Sequence, residues 1–163
     1  MALSGYVKIG IIAGESRRSG HEGEIDVHSV AWSVTQRSSA NLGSGRTRGR
    51  AEISDVSVRK LTDAATPYLA LASMTGQSLD DIAITLRRDA GESHVDYLVI
   101  TLENCAVSAF RMIATPEGST RPLGEEEVNF TAERITIRYV EPAGDLGGGA
   151  GHEVSFDIVA GRP

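Results

Sequence analysis

A chain of 163 residues, 40% apolar and 23% charged, suits a single domain able to bury about 70% of its unfolded surface, and it is too apolar for intrinsic disorder. Sixteen Lys and Arg against twenty-two Asp and Glu leave a net charge of -6, the wrong sign for a protein that binds nucleic acid mainly by neutralising phosphates. The single Cys105 excludes both an intrachain disulfide framework and a Cys-rich zinc site.

Met1 to Gly5 carries no basic segment leading into an apolar run, and no stretch reaches the roughly 18 apolar residues of a membrane span. The chain is therefore read as made in the cytoplasm, with export only by a route that needs no cleavable signal. Alternation of period two predicts strands at Tyr6 to Ala13, with Val7, Ile9 and Ile11 on one face, and at Glu24 to Gln36. In the second, Val30, Trp32 and Val34 form a core face. Ser29, Ala31, Ser33 and Thr35 form a small, wet one.

Arg37 to Arg50 holds three glycines, four Arg and no acid, a loop longer than compact domains usually keep without a function. A strand at Ala51 to Leu61 changes parity near Ser54-Asp55, which predicts a bulge. Ala64 to Thr75 is the one helix, with Asp63 or Thr66 as cap, Pro67 in the first turn and Gly76 past the end. Its small polar share predicts that it lies against the sheets. A hairpin follows, from Ile82 to Arg88, through Asp89 to Glu92, and back along His94 to Val107. The returning strand is apolar on both faces, Tyr97 and Val99 against Leu98, Ile100 and Leu102, so either the helix or another subunit covers the second face. Glu125 to Val140 and a strand through Val154, Phe156 and Ile158 flank a Gly-rich loop at Glu141 to Gly151.

The catalytic signals fail one by one. His21, His28, His94 and His152 lack metal-ligand spacing, and Gly14-Glu15-Ser16-Arg17-Arg18 lacks the second glycine of a nucleophile elbow. Gly43 to Gly49 is off the dinucleotide fingerprint and runs into a strand, so nucleotide binding is rejected. Cys105 reads as packing, and Asp80-Asp81 and Glu125 to Glu127 read as solvated strand ends. No catalytic residue, metal or cofactor is expected. What an isolated domain leaves unexplained is the basic loop and the two-faced strand, both features of a subunit in an assembly.

Val7-Lys8-Ile9-Gly10 with Gly14-Glu15-Ser16, His21, Glu24-Ile25-Asp26-Val27, Trp32-Ser33, Thr66-Pro67, Val95 to Leu102 and Val128-Asn129-Phe130 leading to Tyr139 resemble, in order and spacing, the Hcp family of type VI secretion tube proteins. The resemblance covers nearly the whole chain. It implies one domain over 1–163, mainly β, a compact two-sheet β-barrel with one flanking α-helix similar to phage tail-tube proteins. It also implies hexameric rings stacked into a secreted tube, with a spike protein at the tip, contractile sheath proteins around it, effector proteins in the lumen and no membrane insertion.

Carried onto this sequence, the resemblance makes Arg37, Leu42, Arg46, Arg48 and Arg50 the ring-stacking loop; as a separate hypothesis, Arg46, Arg48 and Arg50 meet acidic residues such as Glu125 to Glu127 across the junction. It makes Ser29, Ala31 and Ser33 lumen-facing, and Leu98, Ile100 and Leu102 a subunit interface. Ala31 stands where the family often has a more polar residue, and the loop is richer in Arg than the family's Gly-dominated versions. A phage-type tail-tube protein is the near alternative reading, a monomeric β-barrel carrier of a small ligand is a remoter one, and an enzyme the least supported.

Overall fold

The computed structural model describes residues 4–38, 48–90, 93–113, 124–142 and 148–163. Twelve strands and one helix make up the described elements. β1 (Ser4–Ile9), β2 (Ile25–Val27), β7 (Ile82–Ala90), β8 (Ser93–Glu103), β11 (Arg134–Pro142) and β12 (Gly148–Asp157) form a six-stranded sheet in the order β12-β11-β8-β7-β1-β2. β3 (Ser29–Ala31), β6 (Val56–Leu61), β9 (Ala106–Ile113) and β10 (Glu125–Thr131) form a second, ordered β3-β6-β10-β9. β4 (Val34–Ser38) and β5 (Arg48–Ile53) pair only with each other. The mainly β, two-sheet expectation with one helix, α1 (Thr66–Thr75), holds, and the sheets wrap a shared core without closing on themselves among the described residues.

Three predicted strands break where the chain passes from one sheet to the other. Glu24 to Gln36 divides at His28, His94 to Val107 at Asn104-Cys105, and Glu125 to Val140 at Ala132-Glu133. Asn104 takes φ 51°, a left-handed turn that an Asn tolerates better than most residues. The bulge expected at Ser54-Asp55 is instead a full break between β5 and β6. Ser54 N–H donates to Ser33 O (2.9 Å) and Ser33 N–H to Ser54 Oγ (2.8 Å), which fixes the two-stranded ribbon's base. β1 ends at Ile9, so Ile11 is 57% exposed rather than in the core.

Alternation supplies the core. Val7, Ile9, Ile25, Val27, Ile82, Ile84, Ile100, Leu102 and Ile135 of the larger sheet face Val56, Val58, Val107, Val128 and Phe130 of the smaller one. Each such side chain contributes about 1.5–3 kcal/mol on full burial. The larger sheet is thus covered by the smaller one, and α1 packs beside β9 rather than over β8. The helix begins after Ala65, with no side-chain cap; Asp63 Oδ1 accepts from Ala65 N–H one position earlier (2.9 Å). Gly76 ends it at φ 65°. Only one stripe of the helix, Thr66, Leu69 and Ala72, is buried, while Tyr68, Leu71 and Met74 stay exposed, contrary to the expectation that sheets would cover it.

At the junction of β6, β10 and α1 sits an ion pair without solvent. Lys60 and Glu126 are each 0% exposed; Lys60 Nζ lies 2.8 Å from Glu126 Oε2 and 2.7 Å from Asp63 Oδ1, and Thr66 Oγ1 donates to Glu126 (2.9 Å). Glu126 is therefore no solvated strand end. Desolvating both charges consumes most of their attraction, but removing one partner leaves the other stranded. Lys60→Met is expected to lower the unfolding free energy by about 3–5 kcal/mol in a urea titration, and Lys60→Met with Glu126→Leu to recover most of it. A single variant as stable as the parent would show that the pair does not hold this junction.

Candidate functional site

Three surfaces stand out: a polar clasp, an open sheet face and an apolar corner. The clasp is the segment between β1 and β2, folded back on itself by Gly14 N–H to Gly23 O (2.8 Å), Ser16 N–H to Glu24 O (3.0 Å) and Gly23 N–H to Ser16 O (2.8 Å). A side chain at Gly14 would meet Glu24 O at 2.3 Å, so only glycine permits this approach. His21, 5% exposed, closes the clasp. Its ring stacks on Tyr6 with centroids 4.1 Å apart, Nδ1 lies 2.7 Å from Glu24 Oε2, and Nε2 lies 3.1 Å from Asp96 Oδ2 on β8. Arg87 of β7 donates from Nε to Asp96 (2.7 Å) and from Nη1 to Ser19 O (2.9 Å), with its guanidinium 5.4 Å from the Tyr6 ring centroid.

Burial works against the charge on Asp96, but hydrogen bonds and charges from Arg87 and His21 outweigh it and hold its carboxyl below the usual range. The bond to Asp96 likewise raises Arg87, while burial raises the Tyr6 phenol. Cys105, 1% exposed, has its thiol pushed up to about 12 by burial and donates to Leu102 O (3.0 Å), an inert packing role. Among the described residues no group of three or more His, Cys, Asp or Glu could hold a metal ion, and no helix is long and apolar enough to cross a membrane.

The open face belongs to the four-stranded sheet. Pairing sets Ser29, Arg59, Glu127 and Arg111 in one row and Ala31, Ser57, Asn129 and Ala109 in the next, all on the side away from the core. The apolar corner belongs to the larger sheet. Across the row Ile84, Ile100, Ile137, Val154 exposure rises from 0% and 1% through a half-buried Ile137 to 67%, because four strands do not cover six. Next to it the row Leu86, Leu98, Tyr139 ends with Tyr139 at 40%.

A family model described as type VI secretion system effector, Hcp, matches residues 6–139. The protein hcp1 of Pseudomonas aeruginosa is 37% identical over 141 residues, which cover 85% of this chain and 84% of that protein. The chain belongs to the Hcp family. The fold agrees: a solved type six secretion system protein superposes with a TM-score of 0.91 at 23% identity, covering 99% of both chains, and Hcp1 from Salmonella typhimurium with 0.80, also at 23% and 99% of both. This Hcp chain is a type VI secretion protein of the tube or effector-related kind, from a family of secreted structural proteins.

The structure redistributes several of the residues expected to serve assembly. Ser29 and Ala31 lie on β3 of the open face, with Ser33 exposed just beyond. Ile100 and Leu102, each 1% exposed, point into the chain's own core beneath the smaller sheet, so no neighbour can cover them; of the three proposed interface residues only Leu98 reaches the apolar corner. Leu42 and Arg46 lie outside the described residues, and Arg37 and Arg48 have their backbones in β4 and β5. Arg50 is committed within the chain, donating to Ile158 O (2.7 Å) and Val159 O (2.6 Å), which tie the ribbon to the C-terminal turn. Of the acidic counterpart, Glu126 is buried and unavailable, while Glu127 and Glu125 pair within the chain with Arg59 (3.1 Å) and His28 (2.8 Å).

His21 was not singled out as a clasp by sequence reasoning. Its local signal was Glu24 three residues on, but Asp96 lies 75 positions away.

Asp96 is held below its unfolded value, so the unfolded chain takes up this proton first as acid is added. The stability it contributes is complete above about pH 3.9 and is lost as pH falls through the lower folded value. Asp96→Asn is therefore expected to lower the melting temperature at neutral pH and to flatten its decline below that point. A variant with the parent's full acid dependence would remove Asp96 from the clasp.

Proposed function

We propose that this chain is a subunit of the type VI secretion inner tube. It acts as one domain over 1–163, six copies closing into a ring and rings stacking into a tube with a spike protein at the tip and a contractile sheath around it. It is made in the cytoplasm and secreted by that system without a cleavable signal, with effector proteins carried in the lumen and no catalysis of its own. The observation that carries the reading is the apolar corner of Leu98, Ile137, Tyr139 and Val154. A contiguous apolar patch left open by the mismatch of six strands over four is what a heterologous ring contact buries. The Hcp family membership supplies the kind of assembly.

On this reading the open face of the smaller sheet, with Ser29, Ala31 and Ser33, lines the channel, and its polar, small-residue character supports a wet wall. The ribbon β4-β5 carries the 37–50 segment toward the next ring, where Arg46 and Arg48 meet carboxylates other than the buried Glu126.

Light scattering behind a sizing column is expected to give about 104 kDa, six chains of 17.3 kDa. Tyr139→Glu with Val154→Glu, both outside the core, is expected to give folded monomers with unchanged circular dichroism. Intact rings from that variant would remove the corner as the interface, and a monomeric parent would overturn the ring. Arg46→Glu with Arg48→Glu is expected to leave rings intact while abolishing tubes in negative-stain micrographs; tubes that persist would end the stacking role.

A further inference from the structure

The open face of the four-stranded sheet carries an uneven charge arrangement that follows from strand register. Glu127 of β10 stands between Arg59 of β6 and Arg111 of β9. It bonds to Arg59 (Nε to Oε2, 3.1 Å). The other carboxylates of the face are also engaged: Glu125 with His28 at 2.8 Å, and Asp55, at the far end, by the Ser108 hydroxyl. Arg111 is exposed and is the one charged side chain on this face without a hydrogen bond or ion pair among the described residues. The row Ser29, Arg59, Glu127, Arg111 thus holds two cations to one anion, on a chain whose net charge is -6.

The row beside it is Leu61, Glu125, Ile113, with Leu61 36% and Ile113 44% exposed. On the other side lie Ala31, Ser57, Asn129 and Ala109, too short to obstruct an incoming chain. A free guanidinium with Ile113 beside it on β9, and Leu61 across the sheet on β6, is complementary to a segment that alternates carboxylates with apolar residues.

We infer that this face binds an acidic, partly apolar segment of a passenger protein, with Arg111 as the specificity-determining contact. The inference rests on the reading of this face as the channel wall. In a closed ring the row repeats in every copy, so the free Arg111 side chains form a positive band. Each contact is weak, and the band gains strength by simultaneous engagement. Arg111 acts as a fork for carboxylates, while Ile113, two positions along the same strand, excludes water beside it.

The test uses the purified full-length protein and two labelled synthetic peptides, one alternating glutamate with leucine and one alternating lysine with leucine, followed by fluorescence anisotropy. The acidic peptide is expected to bind, to weaken about tenfold for Arg111→Glu and by less for Arg111→Lys, which keeps the charge but loses the fork, and to release as salt is raised, while the basic peptide does not bind. Equal binding by Arg111→Glu, or preference for the basic peptide, would overturn the inference. Light scattering on the same samples separates the two readings. Arg111-dependent binding by a monomeric protein would sink the ring while leaving the surface. Rings that bind the peptide without regard to Arg111, or not at all, would keep the ring and sink the surface.

Discussion

A six-stranded sheet covered by a four-stranded one cannot hide its whole apolar face, and most of the molecule's outer character follows from that mismatch. Where the sheets overlap, Ile84, Ile100, Ile82, Leu102 and Ile135 are at most 3% exposed. Further along the first of these rows, and along the neighbouring row of Leu86 and Leu98, the cover runs out, and Val154 and Tyr139 emerge. The same rows therefore build the core at one end and leave an apolar surface at the other. Extending the smaller sheet would bury the corner within the chain; the fold instead sends β4 and β5 off as a separate ribbon. The interior and the exposed apolar corner are thus continuous stretches of one pleated surface.

Polar groups hold the places where connecting segments meet the sheets. Lys60, Glu126, Asp63 and Thr66 satisfy one another where β6, β10 and α1 meet, and His21, Glu24, Asp96 and Arg87 do so where the β1–β2 segment lies on β7 and β8. A hydrophobic patch would tolerate several registers in either place. A carboxylate that must meet a particular ammonium or guanidinium tolerates few, because an offset strands a charge. Both clusters sit on elements that join sequence-distant strands. They define which residue faces which, while the aliphatic core supplies the driving force.

The sequence rendered the strands legible because period-two alternation is a local signal, and it rendered the helix legible through Pro67 and Gly76. It did not render the corners at His28, Asn104-Cys105 and Ala132-Glu133, since alternation runs on across a residue where the chain changes sheets. It misread the two-faced strand for a related reason. Leu98, Ile100 and Leu102 share one face, but burial along that face is set by how far another sheet extends. Glu126, seen within a run of three acids, reads as solvated until Lys60, 66 positions earlier, is folded against it. The open-face residues Ser29 and Ala31 were legible because small and polar side chains in alternation describe a surface directly. The imbalance at Arg111 was not, because it depends on which neighbour Glu127 chooses.

Self-association of such a chain has to work against its own charge. Each copy carries -6, so copies repel at distance, and only short-range complementarity can bring them together. The exposed apolar residues Tyr139 and Val154, with the half-buried Leu98 beside them, act only on contact and are insensitive to net charge, which suits the contact proposed within a ring. The basic 37–50 segment is a charge-dependent element by composition, which suits a contact between preformed rings, where repulsion is multiplied by the number of copies. On the proposed tube reading the two steps separate by their physics: apolar burial would close the ring, and local charge reversal would admit the next one. On that reading an acidic body with a basic segment limits indiscriminate aggregation while leaving ordered growth in one direction open.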